Sequence, residues 1–282
     1  MKLVLELTFN VFQNQPINSE IMENNKKKRS TVERRRKILN LLSENGQVFV
    51  HELSAEFNVS EVTIRNDLDM FESKKLLIRS RGGAMKYESS VGTDYQITDK
   101  DKIHYAEKVK IGKMAATLVK DGDTIIIDSG TTTLEVAKNL NTDYNINIIT
   151  NAVNIVNQLL KFSNINIIVP GGIIRKNSHS LIGPLAEKSL ANFYVDKVFI
   201  GVDGFDMSLG AFTPNIEEAS LNQCMIEIAK EVILVTDSSK FNRKSLAFIC
   251  PPSKIDIVVT DDKIDNEVKR QLTEMGIKVV IA

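Results

Sequence analysis

Asp128-Ser129-Gly130-Thr131-Thr132-Thr133 places a carboxylate, a glycine and a run of hydroxyls directly after the apolar stretch TIIID (124–128). Where such a turn opens a helix, hydroxyls and unpaired backbone N–H groups together form a cradle for an anion such as a phosphate. Polar residues follow other apolar runs in the same half of the chain. Asn151 follows INIIT (146–150), and Gly171-Gly172 with Arg175 beyond follow INIIV (165–169). Asp203 lies just past KVFIG (197–201), and Lys240 just past EVILVTD (231–237). One such loop would be unremarkable. Polar groups after five apolar runs are what a ligand with a phosphate and several hydroxyls requires, and a phosphorylated sugar fits that description. The loop lacks the GKS/T of a Walker motif, and no GxGxxG dinucleotide fingerprint occurs. The three histidines are scattered, and Cys224 and Cys250 lack a metal-ligand spacing, so no metal, cofactor or disulfide framework is expected. Free cysteines fit a reducing cytosol, hence a cytoplasmic protein.

The elements that must position these residues follow from the pattern. Near-continuous Ile and Val runs at 124–128, 146–150, 165–169, 197–201, 231–237, 255–260 and 277–282 predict strands buried on both faces. Helical stretches are expected between them, around 131–140, 152–161, 185–192, 217–230 and 264–275. That alternation predicts an α/β domain with a Rossmann-like, mostly parallel sheet covered by helices. Ligands of such sheets gather at the carboxyl ends of the strands, where the polar residues stand. A helix over 102–119 should lead into this domain, which is set at 102–282. No apolar run approaches the roughly 18–20 residues that span a bilayer, so no membrane partner is expected.

The N-terminal part has a different pattern. Residues 26–86 hold 14 Lys/Arg against 8 Asp/Glu, a balance of +6, whereas the remainder holds 22 against 28, a balance of −6. A basic segment on an acidic body points to nucleic acid. Apolar spacing predicts a helix over 32–44 and a short helix bearing Leu53 and Phe57. A turn at Asn58-Val59-Ser60 follows, and Ser60 is placed to N-cap the next helix. In that helix Ile64, Leu68 and Phe71 make one apolar stripe, and Val62, Arg65, Asn66 and Asp69 share the other face. A two-strand ribbon over LLIRSRGGAMKY (76–87) should turn at Gly82-Gly83. Residues 30–87 thus read as a winged helix-turn-helix whose partner is double-stranded operator DNA. Arg65 and Asn66 suit base edges, Val62 lies beside them, and Ser60 and Thr63 can bond phosphate or base. Arg34, Arg35, Lys37, Arg79 and Arg81 suit phosphates. Residues 88–101 read as a linker. Residues 1–29 are an unassigned, disordered extension, in which Met22 is a plausible true start.

ERRRKILNLL, HELSAEFNVS, EVTIRNDL and RGGA resemble, in order and spacing, the helix-turn-helix of the DeoR family of bacterial regulators. GGIIRKNSHSLIGPLAEKSL, KVFIGVDGFD and VTDSSKFNRKSL resemble that family's sensor domain, which is similar in fold to ribose-5-phosphate isomerase. Within the family, GVDGFD…NIEEASLN and DSSKFNRKSL look closest to the amino-sugar repressors, which respond to galactosamine or N-acetylgalactosamine phosphates. The recognition helix here begins with Glu61-Val62, so the operator sequence does not carry over. The resemblance implies a homo-oligomeric repressor of a carbohydrate-utilisation operon, with no catalytic residues. The rival reading is an active sugar-phosphate isomerase fused to a DNA-binding module. The isomerases write Asp-Gly-Ala-Asp where this chain has Ile200-Gly201-Val202-Asp203, and their next lysine falls near Thr213. Glu217 or Glu218 is left as a candidate base.

Overall fold

A computed structural model describes residues 31–42, 47–74, 76–80, 82–86 and 94–282. The expected extension 1–29, Arg81 and linker residues 88–93 lie outside the described residues. The chain forms two compact units, Met1–Ser89 and Ser90–Ala282.

In the first unit, helix α1 (31–42) precedes strand β1 (Gln47–Phe49), helices α2 (Val50–Phe57) and α3 (Glu61–Ser73), and strands β2 (Leu77–Ser80) and β3 (Gly83–Lys86). Asn58 terminates α2 in the left-handed conformation (φ 48°), which asparagine tolerates better than most residues, and so turns the chain into α3. Ile38, Leu42, Leu53, Ile64, Leu68, Phe71 and Leu77 pack into one small core. The ribbon is three-stranded, in the order β1-β3-β2. Strand β1 was not foreseen, because three residues are too few to display an alternation.

The second unit opens with α4 (Ile97–Lys100) and α5 (Tyr105–Ala116). The helix expected over 102–119 forms as α5, shorter by three residues at each end. His104 between α4 and α5 is left-handed (φ 52°), which breaks the ladder of i→i−4 hydrogen bonds. The chain then alternates through β4 (Thr124–Ile127), α6 (Thr131–Lys138), β5 (Ile146–Ile149), α7 (Val153–Leu159) and β6 (Ile165–Ile168). A hairpin follows, β7 (Ile173–Arg175) with β8 (Ser180–Ile182), and then α8 (Pro184–Leu190) and β9 (Val195–Ile200). The remaining elements are β10 (Gly204–Asp206), β11 (Gly210–Thr213), α9 (Ile216–Glu227), β12 (Ala229–Val235), β13 (Ala247–Cys250), β14 (Ile257–Thr260), α10 (Asn266–Glu274) and β15 (Lys278–Ile281). The seven expected strands form one parallel sheet in the order β15-β14-β12-β9-β4-β5-β6. Successive residues point to opposite faces: Ile126, Val198, Leu234 and Val258 pack on one side, Ile125, Ile127, Phe199 and Val259 on the other. Both faces are buried, which is why the strands read as unbroken Ile and Val.

Strand order reverses at β4. The chain runs outward through β5 and β6 on one side, then resumes at β9 on the other. The carboxyl ends of β4 and β9 flank the resulting crevice. Helix α6 starts there, and α5 fixes its height by close approach at Gly112. A Cβ on Gly112 would lie 2.4 Å from Glu135 Cβ and 2.5 Å from its carbonyl carbon. Gly112→Ala should therefore push α5 from α6 and cost about 1–3 kcal/mol. A thermal melt should fall by several degrees, and an unchanged midpoint would mean that the helices separate freely.

Candidate functional site

On the first unit, α3 buries Ile64, Asp67, Leu68 and Phe71 and exposes Val62, Arg65 and Asn66. Val62 is 60% exposed, unusual for a valine on a packed helix. Ser60 caps the helix, its Oγ accepting from Thr63 N at 3.2 Å and lying 2.9 Å from Thr63 Oγ1. Both hydroxyls, expected to reach DNA, are thus engaged with each other at the helix start. Arg65 is exposed but ion-paired to Glu61 at 2.5 Å. Lys37 is exposed.

The other basic residues brace the fold. Asp67 is 1% exposed, and Arg34 and Arg35 each donate Nε–H to one of its oxygens at 2.7 Å. A carboxylate at that depth needs both partners to offset its lost hydration. Arg79 pairs with Asp69 and donates to Arg65 O at 3.1 Å and Gly83 O at 3.2 Å, tying the ribbon to the recognition helix. These three arginines, read from sequence as phosphate contacts, have an internal role that the sequence did not signal. Arg81 lies outside the described residues.

In the second unit the crevice is lined from several strand ends. Asp128 closes β4, and its N–H donates to Phe199 O at 3.0 Å, joining β4 to β9. Helix α6 begins at Thr131 behind Gly130, which has no side chain to cap the free N–H groups. Thr131, Thr132 and Thr133 are all buried. Thr133 Oγ1 and Asn151 Oδ1 are enclosed and have no hydrogen-bond partner, while Asn151 Nδ2 donates to Leu181 O at 3.4 Å. Buried polar atoms are rarely left this way unless something else completes them. Gly201 at the end of β9 faces Thr133, whose Cγ2 a Cβ there would meet at 3.8 Å.

Charge is divided across this edge. Asp203 takes Lys100 Nζ at 2.8 Å and Lys240 Nζ at 3.9 Å. Burial opposes its ionisation, but the lysines outweigh that and hold its carboxyl below the usual range. Lys108 is buried in α5 and donates to Lys100 O. Burial pushes its ammonium down to about 8, only partly offset by Asp237. Asp128 is pushed up to about 7, first by burial and then by the Glu218 carboxylate, with Asn222 donating to it. The structure therefore brings Asp203 and Lys240 together, with Ser129 Oγ 3.4 Å from Asp128 Oδ1. Gly171 and Gly172 instead shape the chain between β6 and β7. Gly172 (φ 117°) lies so close to Ile182 O that a Cβ would be 2.6 Å from it. Arg175 is engaged with Asp94 and Glu218. Lys100, Lys108 and Asn222 escaped the sequence reading as part of this site, and Glu218 entered it only as a candidate base of the isomerase alternative. Lys108 did leave a signal, standing on the buried stripe of α5 with Ile111, Gly112 and Ala115.

A helix-turn-helix unit followed by a parallel α/β sheet defines a two-part DNA-binding regulator. The DeoR-like helix-turn-helix domain matches residues 34–90, and the DeoR C terminal sensor domain matches residues 103–262. The chain belongs to the DeoR family of transcriptional regulators. A protein of Escherichia coli O157:H7 provisionally named an aga operon transcriptional repressor is 38% identical over 252 residues, 89% of this chain and 94% of its own. The HTH-type transcriptional regulator GlpR of Haloferax volcanii is 33% identical over 248 residues, 88% and 96% of the two chains. The glycerol-3-phosphate regulon repressor of Escherichia coli K12 is 32% identical over 242 residues, 86% and 95%. Among solved structures, ribose 5-phosphate isomerase A of Methanocaldococcus jannaschii is 18% identical with a TM-score of 0.38, over 49% of this chain and 55% of that one. That likeness is too slight to carry functional weight. Among the described residues no helix is long and apolar enough to cross a membrane.

Two outcomes follow from the buried acids. Asp67→Ala should destabilise the first unit by roughly 3 kcal/mol, because two arginines lose their common partner. Hydrogen exchange of α3 in the full chain reads this directly, and unchanged protection would show the pair to be dispensable. Asp128 behaves in the opposite way to a salt-bridged acid. Its folded value stands above the ordinary 3.8, so its stabilising contribution is complete below 3.8 and is lost as the pH rises through about 7. Wild type should lose stability over that window, and Asp128→Asn should flatten the loss. Parallel melting curves from pH 4 to 8 would refute the assignment.

Proposed function

We propose that this chain is a DNA-binding repressor of a carbohydrate-utilisation operon, whose grip on its operator is modulated by a phosphorylated sugar. The observation that carries the effector half is the crevice at the β4/β9 reversal. It combines an uncapped α6, the uncompleted Thr133 Oγ1 and Asn151 Oδ1, and Lys100 and Lys240 on Asp203, with Lys108 against the Lys100 carbonyl. Free N–H groups at a helix start suit a phosphate, as do ammonium groups at the same sheet edge. The enclosed Asn151 Oδ1 suits a sugar hydroxyl, and Thr133 Oγ1 suits either group. Asp203 and Lys240 bind, and Ser129 with Thr131 and Thr132 completes the loop. The relation to a provisionally named aga repressor supports testing amino-sugar phosphates first.

Binding rather than turnover is the reading these residues support. Ile200, where an isomerase has an acid, is core, and Thr213, where it has a lysine, is buried and uncharged. Glu218, a candidate base, already accepts from Arg175 and Ser180. Chains of this kind act on repeated half-sites, so a homo-oligomer is part of the proposal.

On DNA, Arg65 and Asn66 read bases from the exposed face of α3, with Val62 against a thymine methyl. Lys37 contacts phosphate, and any Arg34, Arg35, Ser60, Thr63 or Arg79 contact is made alongside its internal bond. The test is a titration onto DNA upstream of the chain's own gene, at fixed salt with competitor, with and without hexose and hexosamine phosphates. Specific binding shifted at least several-fold by one sugar phosphate is expected. No binding above competitor, with conversion of a sugar phosphate, would establish the isomerase instead. Asn66→Ala should lose about 1–3 kcal/mol on the operator alone. Lys37→Ala should weaken all sequences alike and reduce the salt slope by about 1.

A further inference from the structure

Arg175, at the end of β7, does not project freely into the crevice. One of its terminal nitrogens is ion-paired to Asp94, and the other donates to Glu218 at 3.2 Å and Ser178 Oγ at 2.9 Å. The Arg175 side chain is only 11% exposed, and that of Asp94 24%. Asp94 also accepts from Asn177 Nδ2 at 3.0 Å, and the Ile97 N–H donates to Asn177 O at 2.7 Å. The β7–β8 hairpin thus grips residues 94–97 at three points. Three residues further on, Lys100 holds Asp203 at the end of β9. A short segment read from sequence as the end of a linker is therefore fastened across the carboxyl edge of the sheet. Its acid takes a base on the hairpin that follows β6, and its base takes an acid just past the central strand β9.

We propose that segment 94–100 is an internal competitor for the crevice, a strap that a ligand must displace. The inference rests on the sugar-phosphate reading above. Asp94 occupies the donor fork that a ligand's oxygens would engage, and Lys100 occupies Asp203, which would otherwise accept from sugar hydroxyls. Ligand and strap cannot both have these partners, so binding of one releases the other. The strap follows the helix-turn-helix unit directly in the chain. Its release frees the start of the second unit, which supplies the difference between two states that any coupling of sites requires.

The test uses the full chain with Asp94→Asn, and Asp94→Glu as the charge-conserving control. Glucosamine 6-phosphate, galactosamine 6-phosphate and their N-acetyl forms are the probes. In wild type, a sugar phosphate that binds should loosen operator binding at least five-fold and speed hydrogen exchange of the 94–103 peptide. In Asp94→Asn that exchange should be fast without ligand, and the ligand's effect on operator affinity should fall below about two-fold. Asp94→Glu should keep most of the wild-type coupling. Simple removal of a negative charge would tighten ligand binding yet leave the coupling ratio unchanged, and that result overturns the strap. If wild type binds none of the probes, the effector reading fails, and slow ligand-free exchange in Asp94→Asn would then overturn the strap as well.

Discussion

The second unit depends on a single constraint: every strand of its main sheet is parallel, and the central strands are buried on both faces. Parallel pairing forces each connection back across a face, so helices cover both sides and no polar side chain can lie mid-strand without cost. All strand ends of one kind then collect at one edge. Chemistry can be placed there without disturbing the core, and the reversal of strand order at β4 opens a gap for it. Asp128, Asn151, Asp203 and Asp237 all stand at this edge, on four different strands. Their company is a result of topology, not of nearness in sequence.

The same constraint explains what could be read from the chain. Runs such as TIII and VFI announced the sheet because burial on both sides leaves only Ile, Val and Phe acceptable. The residues immediately after them were legible as neighbours because position in an α/β sheet implies proximity. The hairpin β7–β8 and the small sheet β10-β11-β13 were not legible. Their strands are three or four residues long, too short for a period to register, and they are set by tertiary pairing. Lys100 and Asp94 were hidden for another reason. They lie in a polar stretch with no apolar signature, and only the folded sheet reveals that it has partners for them.

The arginines of the first unit illustrate a limit of charge-based reading. A basic segment was correctly noticed, yet Arg34, Arg35 and Arg79 are engaged inside the unit. Asp67 is the cause. Nothing in the sequence singled it out, and its depth shows only once Arg34 and Arg35 of α1 close on it. Charge counts record how many bases are present, whereas burial decides which of them remain available.

Helix α3 separates its duties by face. Ile64, Leu68, Phe71 and the clamped Asp67 hold it in place, Ser60 and Thr63 secure its start, and Val62, Arg65 and Asn66 take no part in packing. Substitutions on the outward face therefore leave the scaffold's stability almost untouched. A lineage built on this unit can acquire new target sequences through two or three exchanges, each tolerated while the old one is abandoned. Regulators of this architecture are thus free to be reassigned among operons without first being rebuilt.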